Sequence, residues 1–223
     1  MKKIFKFILP FFILQALAAE EIYLLRVEGP IDPVVTDYIR EEVKKIPEGK
    51  PFILQLNTPG GLMDAMQEIV ETLLNAPGPA VVWVAPKGAK AASAGLFIAM
   101  ASDVAAMAEN TSLGAAHPVS MGMEKMDETM KEKVTKDAAA SIRSLARSRG
   151  RNEFWAEKAV TESQSLSSAE ALDQKVIELI ANDINELLEK LEGREIKKNN
   201  RIFILQTRGA RVMERPMSFI KKI

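Results

Sequence analysis

The chain of 223 residues has no cysteine and a single histidine, His117, and its 30 basic residues are balanced by 30 acidic ones. The absence of cysteine excludes structural disulfides, thiolate metal sites and a cysteine nucleophile. A single histidine excludes a metal site built from several imidazoles, and the zero net charge removes a bulk electrostatic case for nucleic-acid binding. Serine, lysine, aspartate, glutamate and His117 remain for chemistry, and we expect no cofactor, no metal and no nucleic-acid partner.

Residues 1–19 differ in composition from the rest of the chain. Lys2 and Lys3 form a basic start, residues 4–17 are mostly apolar, and Ala16 and Ala18 are small residues of the kind that a signal peptidase reads. This layout predicts a signal peptide or an uncleaved N-terminal anchor, and the run is too short for an ordinary membrane span. We therefore expect an extracytoplasmic domain on the periplasmic side, secreted or membrane-associated.

The first half of the remaining chain alternates between predicted strands and predicted helices. The strands are expected at residues 21–28, 52–56, 80–85 and 104–108, and the helices at 34–45, at 63–74 and directly after Ser93. This alternation predicts an α/β fold with a mostly parallel sheet and flanking helices. Because ligands bind at the carboxyl ends of parallel strands, we expect the loops 57–61 and 87–93 to face each other across one cleft.

The second half is predicted to be richer in helix. Helices are expected from about residue 130 to Arg149 and at 153–160, 169–172 and 183–191, and strands at 176–180 and 201–206. The resulting division has a leader over residues 1–19, a domain over residues 20–192 and a C-terminal tail over residues 193–223.

Ser93 lies among small residues and directly precedes an apolar run that reads as a helix. A serine at this place is commonly a helix N-cap, which satisfies one of the unpaired N–H groups of the first turn. The same position brings a hydroxyl close to the positive end of the helix dipole, and small neighbours leave room for a substrate carbonyl. The residues alone leave both a capping serine and a nucleophile open.

A glycine pair, Gly60-Gly61, follows the second predicted strand. Glycines there allow positive φ and let backbone N–H groups point at a bound group without an intervening Cβ. Opposite a nucleophile such donors would form an oxyanion hole. The alternative is an ordinary turn between a strand and a helix.

Five segments in a fixed order resemble the NfeD family of membrane-bound, ClpP-class serine proteases. They are NTPGG at 57–61, AASAG at 91–95, GAAHP at 114–118, KVTKDAAA at 133–140 and GRN at 150–152. The resemblance covers roughly residues 22–188. It implies a ClpP/crotonase-like fold, a Ser–Lys dyad, assembly into a homodimer or a higher oligomer, and cleavage of hydrophobic segments, including those of a stomatin-like membrane protein.

The resemblance also implies roles for individual residues. Ser93 matches the nucleophile and Lys133 the general base, while Gly61 and Ala94 match the two oxyanion donors and Gly60 shapes their loop. Longer members of the family continue into membrane helices and a small β-barrel domain. Residues 213–218 resemble the segment that precedes the first of these helices.

The identity of the base is the more open part of this interpretation. A lysine acts as a base near neutral pH only when burial lowers its pKa, and Met121, Met123, Met126 and Met130 could supply apolar surroundings. Lys131 and Lys136 lie close to Lys133 in the sequence, and the resemblance favours Lys133 over both.

His117 is the alternative base, since the unperturbed pKa of histidine already lies near neutrality. It follows Ser93 at a separation like that of serine and histidine in cytoplasmic ClpP. A histidine base would need an acidic partner, for which Asp137 and Asp173 are candidates.

Three functions compete. The first is an ATP-independent serine endopeptidase that acts on hydrophobic peptide segments. The second is a crotonase-type acyl-CoA enzyme, which a secretory signal and the unused Ser93 both disfavour. The third is a non-catalytic scaffold for a stomatin-like partner, in which Ser93 only caps a helix.

Overall fold

The structure, a computed structural model, describes residues 20–118 and 127–217. The expected leader over residues 1–19 lies outside these residues, as do Met121, Met123 and Met126 of the methionine-rich segment. The strands are β1 (Glu21–Glu28), β2 (Phe52–Asn57), β3 (Ala80–Val84), β4 (Lys90–Ala92), β5 (Val104–Met107), β6 (Ser112–Gly114), β7 (Ser165–Ser167), β8 (Leu179–Ile180), β9 (Glu195–Lys198), β10 (Arg201–Ile204) and β11 (Arg211–Arg215). The helices are α1 (Pro33–Lys44), α2 (Met63–Leu74), α3 (Ala94–Ala101), α4 (Glu128–Ser148), α5 (Glu153–Thr161), α6 (Ser168–Asp173) and α7 (Ile184–Leu191).

A six-stranded sheet in the order β11-β1-β2-β3-β5-β8 forms the centre of the fold. Each neighbouring pair of strands in it is parallel, which confirms the sheet type predicted from the alternation of strands and helices. All five residues of β3 are buried because both faces of the sheet are covered.

Two hydrophobic clusters lie on the two faces of this sheet. The larger one packs α1, α2, α3 and the buried side of α4 and α5 against one face. The smaller one covers the other face with α7 and the β9–β10 hairpin, through residues such as Leu187, Ile196 and Leu205. The helices that adjoin the cleft described below therefore all lie on the first face.

Side-chain caps start most helices at the expected places. Asp32 accepts a hydrogen bond from the Val35 N–H and is followed by Pro33 at the first helical position. Asn152 caps α5, and Ser167 forms a capping box with Glu170 at α6. The starts of these three helices are thus marked in the local sequence, whereas α2 and α3 begin without a side-chain cap.

A second, three-stranded sheet, β4-β6-β7, differs from the predicted organisation. The predicted loop 87–93 contains β4, which pairs in parallel with β6, and β6 pairs antiparallel with β7. Each strand has only three residues, so local sequence carries almost no signal for it. This small sheet holds the segments that frame Ser93.

The segment after residue 192 also differs from the expected tail. β9 and β10 form an antiparallel hairpin, and β11 pairs in parallel with β1 along the edge of the central sheet. The Tyr38 hydroxyl donates a hydrogen bond to the Arg215 carbonyl and thereby joins β11 to α1. Residues 193–217 thus complete both the sheet edge and the second cluster.

Among the described residues, no helix combines the length and apolar character needed to cross a membrane.

Candidate active site

Ser93 lies between β4 and α3 in a conformation that side chains rarely adopt. Its φ is 52° and its ψ is −114°, and its hydroxyl makes no capping hydrogen bond to α3. The capping alternative is therefore wrong. The Ser93 N–H donates to the Gly114 carbonyl (3.0 Å), and the Ser93 carbonyl accepts from the Leu96 N–H (3.0 Å). Both backbone groups are occupied, which holds the strained turn in place and leaves the hydroxyl unengaged by the helix.

The loop 57–61 is tied directly to the strand that leads to Ser93. The Thr58 N–H donates to the Lys90 carbonyl (2.7 Å), and the Thr58 carbonyl accepts from the Ala92 N–H (3.1 Å). Asn57 Oδ1 accepts from the Lys90 N–H (3.2 Å). The two loops therefore face each other across one cleft, as their place at the carboxyl edge of the sheet predicts.

Glycine is required at positions 60 and 61 because each backbone lies very close to another part of the chain. A Cβ at Gly60 would lie 2.7 Å from Ser93 Cβ, and its φ is 115°. A Cβ at Gly61 would lie 2.0 Å from the Ile31 carbonyl oxygen, because Ile31 and Gly61 form a parallel bridge. Any side chain at either position would displace the loop from Ser93 or from the chain at Ile31.

Gly61 and Ala94 are the two candidate backbone donors for an oxyanion at this site. Gly61 and Ala94 both line the same cavity as Ser93. In the described part of the chain, the N–H groups of these two residues donate no hydrogen bond. Ala94 is the first residue of α3, where an N–H without an intrahelical partner is expected. The arrangement can accept a developing negative charge on an oxygen bound between the two amides.

The cavity over Ser93 has a volume of about 960 Å³ and a largely apolar lining. Its walls come from α2, α3 and α4, through residues that include Met66, Val70, Phe97, Ala138 and Leu145. A pocket of this size and character fits several apolar side chains of an extended peptide.

His117 lines this cavity as well. Its Nδ1 lies 3.0 Å from the Val160 carbonyl oxygen. A carbonyl can only accept, so Nδ1 carries a proton, and in the neutral form of the ring Nε2 is the acceptor. Asp137 also lines the cavity, whereas Asp173 is the last residue of α6 and does not.

Lys133 lies in the second turn of α4 and is exposed, and the structure does not bring it to the cavity lining. Its neighbours on the helix differ from it in their contacts. Lys131 forms an ion pair with Glu128, and Lys136 forms one with Glu132. Lys133 pairs with no carboxylate among the residues that the structure describes. Val134, one position further on, does line the cavity.

Arg151 is a residue whose role sequence reasoning missed. Its guanidinium is buried and donates to the carbonyls of Ala99 (3.1 Å) and Met100 (2.9 Å) at the end of α3. Glu178 receives two further hydrogen bonds from it, at 2.8 and 2.7 Å. Arg151 thus closes the carboxyl end of the helix that starts at Ser93. The only sequence signal was its place in the GRN segment.

Comparison with known proteins shows the family to which this chain belongs. The sequence profile described as the N-terminal domain of NfeD1b matches residues 21–211. The chain belongs to the NfeD1b N-terminal domain family. The membrane-bound protease PH1510 of Pyrococcus horikoshii is 38% identical over 185 residues, which cover 81% of this chain. The chain spans only 42% of the length of that relative.

Solved structures show where this NfeD1b domain resembles other proteins. A lysine-to-alanine mutant of the 1510-N membrane-bound stomatin-specific protease, in complex with a substrate peptide, is 36% identical, with a TM-score of 0.82 over 92% of this chain and 96% of that one. A serine-to-alanine mutant of the same protease is 35% identical, with a TM-score of 0.78 over 91% and 99%. ClpP1 of Listeria monocytogenes is 16% identical, with a TM-score of 0.58 over 74% of this chain and 94% of that one. This last likeness shows that the NfeD1b domain has a ClpP-like fold.

Proposed function

We propose that this chain is a serine endopeptidase that cleaves apolar peptide segments. The observation that carries the proposal is the position of Ser93, on a strained turn in a largely apolar cavity that Gly61 and Ala94 also line. The domain's similarity to 1510-N, named a stomatin-specific protease, supports the same activity. An acyl-CoA enzyme would leave the Ser93 hydroxyl unused.

In the proposed reaction, Ser93 Oγ attacks the scissile carbonyl carbon and loses its proton to a base. The carbonyl oxygen becomes an oxyanion between the N–H groups of Gly61 and Ala94, each worth about 3–4 kcal/mol in related chemistry. The base then gives its proton to the leaving amine as the C–N bond breaks, which leaves an acyl ester on Ser93. Water, activated by the same base, hydrolyses the ester and restores the hydroxyl.

We propose Lys133 as this base. Among the solved relatives, one variant lacks a serine and another lacks a lysine, and the lysine variant was obtained with a substrate peptide. Among the described residues, Lys133 also has no carboxylate partner, whereas Lys131 pairs with Glu128 and Lys136 with Glu132. For catalysis its side chain must turn from solvent into the apolar cavity, where desolvation favours the neutral amine.

His117 is the second candidate for the base. Its hydrogen bond to the Val160 carbonyl supports a tautomer with Nε2 free to accept a proton. It lines the same cavity as Ser93, and a backbone carbonyl takes the place of the acidic partner of a catalytic triad.

The substrate we propose is a hydrophobic segment of a stomatin-like membrane protein, cleaved without ATP. We further propose that residues 1–19 export the domain to the periplasmic side as a signal peptide or as an anchor, and that the chain acts as a homodimer or a higher oligomer.

Cleavage of an internally quenched apolar peptide, without ATP, tests the activity and the base together. We expect Ser93→Ala and Lys133→Ala each to lower kcat/KM by about 10³-fold or more. Lys136→Ala is the matched control, since its exposed side chain pairs with Glu132, and should retain nearly full activity. An inactive His117→Ala beside an active Lys133→Ala would move the role to His117. Undiminished cleavage by Ser93→Ala would overturn the assignment of Ser93 as the nucleophile, whereas absence of cleavage by the folded, unsubstituted chain would leave a scaffold role.

A further inference from the structure

A buried charge cluster lies beneath the cleft, at the end of α3 far from Ser93. Asp103 has a fully buried side chain, Lys198 is 2% exposed and Arg149 is 14% exposed. Lys198 Nζ lies 2.8 Å from Asp103 Oδ2, and Arg149 Nη1 lies 2.7 Å from Asp103 Oδ1. The Ala80 N–H also donates to Oδ2, at 2.8 Å. We call Asp103, Arg149 and Lys198 the Asp103 cluster.

Asp103 supplies one negative charge for two cations, and backbone carbonyls provide the remaining polar contacts. Lys198 Nζ donates to the carbonyls of Leu73 (2.8 Å) and Gly78 (3.2 Å), and Arg149 Nη2 donates to the carbonyl of Ala101 (3.0 Å). Carbonyls at the carboxyl end of a helix carry partial negative charge, which favours cations there. Burial lowers the pKa of Lys198, and the carboxylate of Asp103 opposes this effect.

These contacts join the carboxyl ends of three helices. Leu73 is in the last turn of α2, Ala101 ends α3, and Arg149 directly follows α4. The same three helices supply the walls of the cavity over Ser93. Lys198 itself belongs to β9, so the C-terminal hairpin contributes to the spacing of the cavity walls.

We propose that the Asp103 cluster positions α2, α3 and α4 and thereby sets the affinity of the cavity for peptide. Its members are positioning residues, because the eight-residue helix α3 separates them from Ser93 by about 12 Å. Loss of Lys198 removes the link from β9 to the carbonyls of Leu73 and Gly78 and lets α2 shift relative to α3. A shift of about 1 Å in a cavity wall is enough to reduce productive binding strongly. The proposal rests on the proposed peptidase function, since it assigns the cavity to peptide.

The test measures peptide affinity and reactivity at Ser93 separately. A fluorescein-labelled apolar peptide is titrated against the full chain carrying Ser93→Ala, alone and combined with Lys198→Met or Lys197→Met. Lys197 is the matched control, because it precedes Lys198 on β9 but has a side chain that is 79% exposed. We expect Lys198→Met to raise the Kd by about tenfold or more and Lys197→Met to leave it within about twofold. With Ser93 intact, labelling by a small fluorophosphonate should change by less than about threefold in Lys198→Met, because the turn at Ser93 is held by other contacts.

An unchanged Kd in a folded Lys198→Met variant would overturn the proposal, as would an equal rise in Lys197→Met. If Lys198→Met does not fold, Asp103→Asn replaces it, because the amide keeps the shape of the side chain while its charge is lost. The same rise in Kd is expected for Asp103→Asn, and an unchanged Kd would overturn the proposal. Failure of the peptidase function would instead appear as absent cleavage and labelling in the unsubstituted chain, whatever the Kd of the variants.

Discussion

Ser93 is predictable from sequence as a special residue, but its chemistry depends on contacts that only the fold creates. The small residues around it and the glycine pair at 60–61 indicated a cleft, and the structure places Gly60 against Ser93. The contacts of Thr58 with Lys90 and Ala92 join segments more than thirty positions apart, so no local pattern could indicate them. The lysines of α4, by contrast, differ in ion pairs to glutamates three and four positions earlier in the same helix, which is a local signal.

The approach of Gly60 to Ser93 gives a prediction at this scale. A Cβ in Gly60→Ala would meet Ser93 Cβ at 2.7 Å, and neither atom can move without its backbone. We expect peptide cleavage to fall by about 100-fold or more, together with a loss of about 1–3 kcal/mol in the free energy of unfolding from the strained φ.

Gly29→Ala is the control for this substitution. Gly29 has the same φ of 115°, but a Cβ there would meet no atom within 4 Å. We expect Gly29→Ala to lower the free energy of unfolding in urea by a similar amount, while its cleavage rate stays within about threefold of the unsubstituted chain. Equal losses of activity in both variants would show that strain, and not contact with Ser93, is responsible.

Some elements of the fold can be predicted from local sequence, whereas others depend on partners that are distant in the chain. The bounds of β1 and α2 coincide with those predicted, because an apolar run that ends at a turn marks β1 and a helical apolar pattern marks α2. The strands β4, β6 and β7 were missed because each has three residues and is defined by distant partners. α3 is fully buried, so its sequence shows no amphipathic pattern, and its carboxyl end is closed by Arg151, more than fifty positions after its first residue.

Replacement of Arg151 tests how α3 is held. Arg151→Met would leave Glu178 without its cationic partner and the Met100 carbonyl without its donor, while the Ala99 carbonyl would still accept from Ser102. We expect a loss of about 3–5 kcal/mol in the free energy of unfolding, measured with urea. Arg147→Met, which removes an arginine with a 73% exposed side chain paired with Glu153, should cost about 0–1 kcal/mol. Similar losses in the two variants would contradict the role of Arg151.

The contact of Tyr38 with β11 predicts a dependence on alkaline pH. Burial is the main cause that raises the pKa of Tyr38 above 10.0. As the pH rises, the unfolded chain therefore releases the Tyr38 proton before the folded chain does. The stability due to the neutral phenol is complete below the pKa of the unfolded chain and decreases as the pH rises through the pKa of the folded chain. Between about pH 8 and about pH 11, urea unfolding should show a smaller loss of stability for Tyr38→Phe than for the unsubstituted chain. Tyr23, whose pKa is also raised, remains in both proteins, so the difference reports on Tyr38. Identical pH profiles would contradict this assignment.

At the scale of the whole molecule, the sequence predicted the α/β class and the parallel sheet but misjudged where the folded unit ends. The expected tail after residue 192 supplies β11 at the sheet edge, the hairpin over the second hydrophobic cluster and Lys198 in the Asp103 cluster. The expected strand at 201–206 corresponds to β10, whereas β9 and β11 are charged and short, and only their partner strands identify them.

Shortening the chain tests this revised boundary. A chain that ends at residue 192 would expose Ile22 and Leu24 on the second face of the sheet and would leave Asp103 without Lys198. We expect it to lose cooperative thermal unfolding, whereas a chain that ends at residue 217 should unfold like the full chain. Cooperative unfolding of the shorter chain at an unchanged midpoint would show that residues after 192 are a tail and not part of the folded unit.

The most direct test of the central claim is the identification of the residue that a fluorophosphonate modifies. Because the Ser93 hydroxyl caps no helix and lies in a cavity that Gly61 and Ala94 also line, we predict a single adduct, which peptide mass spectrometry places on Ser93 and which is absent from the Ser93→Ala variant. An adduct that persists in Ser93→Ala, or no adduct in the folded, unsubstituted chain, would contradict the assignment of Ser93 as the nucleophile.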